Sequence, residues 1–174
     1  DHCKQHLNTL RTLLEGCFLL GEMTSRTSDS IVSYGELLSS YILAKAYELT
    51  APDSTFKDSR ELIVTNDVFG HASVDFAASN KAIRSYFDKQ QRRVTIVPGF
   101  IAATPDGQTT TLGRGGSDYT AAIFAAALQA IDLEIWTDVN GFITADPRVI
   151  SKAYTIKTLS YSEAMELSHF GAKV

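Results

Sequence analysis

Residues 109–120 read Thr109-Thr-Thr-Leu-Gly-Arg-Gly-Gly-Ser-Asp-Tyr-Thr120. The apolar run Val94-Thr-Ile-Val-Pro-Gly-Phe-Ile101 precedes this stretch, and the Ala-rich run Ala121–Ala130 follows it. A glycine-rich loop between a strand and a helix is the simplest reading. A helix start offers unpaired N–H groups and the positive end of a dipole, which suits an anion. Gly113, Gly115 and Gly116 permit close backbone approach or positive φ. Arg114 adds a planar fork for a carboxylate or phosphate, and Asp118 brings a carboxylate to the same place. The combination suits a small zwitterionic or phosphorylated ligand. The plainer alternative is that Ser117 or Asp118 caps the helix while the glycines only turn the chain. No Gly-Lys-Ser/Thr follows, and the Gly-x-Gly-x-x-Gly spacing of dinucleotide sites is absent.

Helical and extended patterns alternate on either side. Leu7, Leu10, Leu14 and Cys17/Phe18 recur at helical spacing, predicting an amphipathic helix over 3–21. Arg26-Thr-Ser-Asp-Ser30 reads as a turn, and Ile31–Leu49 as a second helix. Pro52-Asp-Ser is a break, and Glu61-Leu-Ile-Val-Thr65 a short β-rich run. Asp75–Gln90 reads as helix, with Phe76, Ile83 and Phe87 on one side. Val94–Ile101 reads as one continuous buried strand. A helix over Thr120–Ile131 and a strand over Leu133–Thr137 follow. Asn140-Gly141 and Asp146-Pro147 are turns. A last helix runs from Ser160 or Ser162 through Leu167, with Gly171 as its stop signal. The alternation predicts an α/β fold, a three-layer αβα sandwich on a mainly parallel sheet, in one domain. Loops that follow the strands then share one edge, where such sheets bind ligands.

Composition limits the function classes. The 174 residues are 44% hydrophobic and 21% charged, with a net charge of −4. That is the balance of a globular chain with a real core. Scattered basic residues and net negative charge argue against a nucleic-acid surface. No apolar run reaches the roughly 20 residues that span a bilayer. The polar opening, Asp1-His-Cys-Lys4, is no signal peptide. Cys3 and Cys17 have no closely spaced metal-type partners, and the default setting is reduced and cytoplasmic. His2 and His6 are an i, i+4 pair with the spacing for weak metal binding, although a solvated helix face is the favoured reading. The four histidines His2, His6, His71 and His169 form no ligand set, so no metal-binding residues are expected.

Val32-Ser-Tyr-Gly-Glu-Leu-Leu-Ser39, Thr109–Ala121, Trp136-Thr-Asp-Val-Asn-Gly-Phe-Ile-Thr-Ala-Asp-Pro-Arg148 and Phe170-Gly-Ala-Lys-Val174 occur in this order. Together they resemble the catalytic domain of the aspartokinases, of the amino-acid kinase superfamily. Thr65–Gly70 and Ser162–Leu167 agree, and the likeness covers almost the whole chain. The Glu163-Ala-Met-Glu-Leu167 wording resembles the bifunctional aspartokinase–homoserine dehydrogenases. The resemblance implies ATP-dependent, Mg²⁺-assisted phosphorylation of the β-carboxylate of L-aspartate to β-aspartyl phosphate. This is the first step toward lysine, threonine and methionine. A homo-oligomer with no nucleic-acid or membrane partner is expected. The family's Lys-Phe-Gly-Gly-Thr-Ser strand is nowhere in the sequence. Residues 1–174 are therefore expected to be a truncated, internal part of the catalytic domain, inactive alone and lacking the C-terminal regulatory region.

The resemblance implies roles residue by residue. Glu36 would take the substrate ammonium, although Ser33-x-x-Glu36 also has capping-box spacing. Arg114 would hold the α-carboxylate, with Gly115, Ser117 and Asp118 completing the pocket; Arg114 and Asp118 are the catalytic candidates. Asp118 is equally a charge favoured by a helix start. Thr137, Asp138, Arg148 and Lys173 would contact ATP; Arg148 also reads as a surface charge and Lys173 as a solvated lysine. Where the family has Tyr in its Gly-x-Tyr-Thr stretch, this chain has Ile143. Alternatives are a relative acting on glutamate, an N-acetylated amino acid or carbamate, or a binding module that transfers nothing.

Overall fold

A computed structural model describes residues 2–138, 141–146 and 148–169. The chain divides into two compact units, Asp1–Leu133 and Glu134–Val174. No described helix is long and apolar enough to cross a membrane.

In the first unit, α1 spans His2–Leu20 and α2 spans Ser25–Glu48. The segment 26–30 is thus the opening of α2, not a turn. Thr24 caps it, its side chain accepting the Thr27 N–H. Ser, Thr and Asp favour both turns and helix starts, and here the helix begins well before the expected boundary. Helix α1 buries no residue. Its apolar stripe stays outside, with Leu7 51%, Leu14 48% and Phe18 85% exposed.

Strand β1, Ser54–Phe56, pairs in parallel with β2, Val94–Ile96. Strand β3, Ile101–Ala103, pairs antiparallel with β4, Thr109–Thr111. A single parallel bridge joins Val64 to Ala103. The α/β class holds, while parallel geometry among the described strands is confined to β1–β2 and that bridge.

The run Val94–Ile101 is therefore two strands. Pro98 lacks an N–H to continue the ladder, and Phe100 takes φ 68°, so the chain turns from one sheet into the other. Glu61–Thr65 forms no strand; a 3₁₀ turn over Ser59–Glu61 precedes two isolated bridges, at Val64 and Thr65. Leu133–Thr137 also lacks a ladder: no backbone hydrogen bond engages it among the described residues, and a strand exists only through such pairing.

Helix α3, Phe76–Phe87, starts at Asp75, whose carboxylate accepts the Ala78 N–H. Helix α4 spans Gly116–Leu128. Leu62, Ile63, Ile83, Ala102, Leu112, Ile123 and Ala127 form the core between these helices and β3. Each fully buried Ile or Leu contributes about 1.5–3 kcal/mol. Buried hydroxyls tie the surrounding layer. Ser59 donates to the Ile101 carbonyl at 2.8 Å, and Thr65 and Thr110 bond at 2.7 Å. Ser79 accepts the Val64 N–H at 2.9 Å. No buried side-chain polar atom among the described residues lacks a partner.

In the second unit, Ile143 bridges Thr155 in antiparallel fashion. Helix α5, Tyr161–His169, begins with a capping box. Ser160 donates its N–H and hydroxyl to Glu163 at 2.8 and 2.7 Å. The Gly171 stop signal lies outside the described residues.

Candidate functional site

Helix α4 begins without a side-chain cap. Its N-cap is Gly115, at φ 75°, so Ser117 and Asp118 sit inside the first turn and neither caps it. Among the described residues, the N–H groups of Ser117 and Asp118 make no hydrogen bond. Two unpaired donors at an exposed helix start, with the dipole behind them, form an anion-receiving edge. Arg114 is exposed directly before it, and its guanidinium meets no partner among the described residues. Asp118 is exposed as well.

The approach of the preceding strand is close. A Cβ on Gly99 would lie 2.9 Å from the Ser117 Cα, and one on Gly116 would lie 2.8 Å from the Phe100 ring. Phe100 donates its N–H to the Thr120 hydroxyl at 3.0 Å, and that hydroxyl donates to the Gly116 carbonyl at 2.7 Å. The glycines at 99 and 116 thus let α4 seat against the β2–β3 junction. For Gly116 this packing against Phe100 is a role beyond the ligand approach expected of it.

Glu36 and Ser117 line one open cleft of about 630 Å³, together with Thr95, Val97, Gly99 and Thr120. Glu36 lies in the middle of α2, well past its cap at Thr24, so the capping-box reading of Ser33 and Glu36 fails. Ser33 instead donates to the Ser30 carbonyl. The cleft is also lined by Arg92, Arg93 and Asp132. Arg92 donates to the Pro52 carbonyl, whereas Arg93 has no partner among the described residues. Sequence reasoning missed this arginine pair, although two adjacent cations at the start of an apolar strand were a visible signal. The cleft carries both signs of charge. Arg114, Gly115 and Asp118 are adjacent in the chain to this lining but are not part of it.

The nucleotide candidates fall in the second unit. Thr137 and Asp138 are exposed, and the Thr137 hydroxyl donates to Asp138 at 3.2 Å. Arg148 is held by Asp146 through Nε at 3.1 Å and Nη2 at 2.7 Å. The bond to Asp146 raises the Arg148 pKa. Lys173 lies outside the described residues. No group of three or more His, Cys, Asp or Glu among the described residues could cage a metal.

Residues 5–174 match the model of the Amino acid kinase family, and the chain belongs to that family. It is similar to aspartokinases in particular. The bifunctional aspartokinase/homoserine dehydrogenase 1, chloroplastic, of Arabidopsis thaliana is 41% identical over 169 residues, covering 97% of this chain and 19% of that protein. The lysine-sensitive aspartokinase 3 of Escherichia coli is 40% identical over 171 residues, covering 95% of this chain and 38% of that protein. The crystal structure of E. coli aspartokinase III in complex with aspartate and ADP superposes with a TM-score of 0.88 at 38% identity, covering 97% of this chain and 38% of that one. The chain thus spans less than two fifths of each of these relatives.

Proposed function

We propose that the protein to which this chain belongs transfers the γ-phosphoryl group of ATP to the β-carboxylate of L-aspartate. The observation that carries the reading is Glu36 and Ser117 on one cleft, at a helix start where two N–H donors and a neighbouring arginine have no partner among the described residues. A free amino acid presents an ammonium and a carboxylate, and this arrangement offers a partner of opposite sign to each. Likeness to aspartokinases, one of them solved with aspartate and ADP, supports the choice of substrates.

In this reading Glu36 takes the ammonium and Arg114 grips the α-carboxylate with its fork. Gly115 turns the chain so that the Ser117 and Asp118 N–H groups meet an anionic oxygen. Ser117 and Asp118 complete the pocket. A β-carboxylate oxygen bonds to the γ-phosphorus as the bridging oxygen departs with ADP. The substrate is itself the nucleophile, so the protein's task is alignment and charge stabilisation. Thr137, Asp138, Arg148 and Lys173 are assigned to ATP, and Mg²⁺ supplies charge neutralisation on its phosphates. We also assign the protein to the cytoplasm and to a homo-oligomer, the latter supported by the exposed Phe18, Leu19 and Leu20 at the end of α1.

Steady-state kinetics of the whole protein test the reading. ADP release that saturates with aspartate and is absent with glutamate, N-acetylglutamate or carbamate is expected. Equal turnover with one of these acids would transfer the assignment to that relative, and no turnover with any would favour a binding module.

A further inference from the structure

We propose that His2 and His6 form a two-point chelate for a divalent transition metal of tetragonal preference, Ni²⁺ or Cu²⁺. The pair lies one turn apart on α1, and the two Nε2 atoms are 2.9 Å apart. Two metal–imidazole bonds of about 2.0–2.1 Å meeting at a right angle span about 2.9 Å, whereas a tetrahedral angle spans about 3.3 Å. The observed separation matches the former.

The rings also pack against the neighbouring helix α2. His2 lies against the Tyr41 ring with centroids 4.2 Å apart, and His6 against Tyr34 at 5.7 Å. Both tyrosines belong to α2, so packing between helices orders the two imidazoles before any metal arrives. Ordered ligands lose less conformational freedom on binding. His2 is exposed and leaves a path for entry. The two Nε2 atoms meet as one hydrogen bond; on binding, both rings turn so that their lone pairs converge on a metal beside that line, and each imidazole carries its proton on Nδ1. Water fills the remaining positions, since no third ligand joins the pair among the described residues.

Calorimetric titration of Ni²⁺ into the chelator-stripped whole protein near pH 7.5 tests this, beside His2→Gln, His6→Gln and the double variant. One Ni²⁺ per chain is expected, weakened about tenfold or more in each single variant and abolished in the double variant. His2→Gln alters an exposed side chain, and circular dichroism checks that its helices persist. On the unaltered protein, substoichiometric Cu²⁺ is expected to broaden the imidazole NMR signals of His2 and His6 first. Affinity unchanged by the substitutions, no saturable binding, or earlier broadening of His71 or His169 overturns the site.

Discussion

The carboxylate of Asp29 accepts both the backbone N–H and the hydroxyl of Thr111, at 3.0 and 2.9 Å, across 82 positions of sequence. The same carboxylate accepts the Gly70 N–H at 2.8 Å. Asp29 is only 2% exposed. It stands on the helix that carries Glu36, and Thr111 stands shortly before Arg114 in the chain. One buried anion therefore fixes the distance between the two elements assigned to the amino-acid substrate.

Asp29→Ala leaves two N–H groups and a hydroxyl without their acceptor. Each orphaned buried donor costs about 1–3 kcal/mol, so a destabilisation of about 3 kcal/mol or more is expected in urea unfolding. Thr111→Val removes the hydroxyl and keeps the backbone N–H bond, and should cost about 1 kcal/mol. A change below about 1 kcal/mol for Asp29→Ala would show that this carboxylate does not anchor α2.

Gly99→Ala drives a methyl to 2.9 Å from the Ser117 backbone. The start of α4 must shift, at about 1–3 kcal/mol. Gly107→Ala is a useful contrast, because nothing lies within 4 Å of its Cβ and only its φ of 83° opposes the change. Thermal unfolding together with aspartate KM checks the pair. Gly99→Ala should disturb both quantities, and Gly107→Ala only the first.

Arg114→Ala in the whole protein should reduce kcat/KM for aspartate by about tenfold or more while the KM for ATP stays near wild type. If bound substrate desolvates the pair, losing this charge-assisted bidentate contact costs about 2–5 kcal/mol. Aspartate kinetics near wild type would remove Arg114 from the substrate site.

His6 titrates below the ordinary histidine value, first because of burial. Its folded-state pKa lies under the unfolded one. The stability it contributes is full above the unfolded value, near 6.5, and is lost as pH falls through the folded one. NMR titration should show His6 protonating later than a free imidazole as pH falls. In the second unit Glu163 is held below the usual carboxylate range, first by the Ser160 N–H and then by its hydroxyl. The same sign applies: its cap weakens only when pH drops below that of an ordinary glutamate. A Glu163 midpoint at or above the peptide value would contradict the capping box.

Helical periodicity made α1 and α3 legible to within a few residues, whereas α4 begins at Gly116, four residues before the expected Thr120, because the glycine-rich loop itself forms its first turn. Hydrophobicity could not show where strands change partners. Val94–Ile101 is almost wholly apolar, yet Pro98 and the positive φ of Phe100 divide it. Thr109-Thr-Thr111 merges in sequence with the glycine-rich loop, although three β-branched residues favour the strand they form. Of the candidate site, Glu36 and Ser117 line one cleft, while the α4 start offers backbone N–H groups without a partner among the described residues, which no side-chain pattern records. Asp29 was hidden because a lone aspartate in Thr-Ser-Asp-Ser looks like turn chemistry, and its partners lie 41 and 82 residues away.

The hydroxyls around the core also act on alternatives to this fold. Thr110 pairs with Ala102 in the hairpin and meets Thr65 on the buried side. Slipping β4 by one residue would turn Thr110 outward and bring a neighbour inward. The Thr65 hydroxyl would lose its mate, and Asp29 would face a different backbone amide. Misaligned hairpins would still bury a similar quantity of carbon, but each would strand polar hydrogens in a dry interior. Discrimination between near-isoenergetic alignments therefore rests on oxygen atoms, and swapping these threonines for valine is expected to broaden the set of accessible registers before it unfolds the chain.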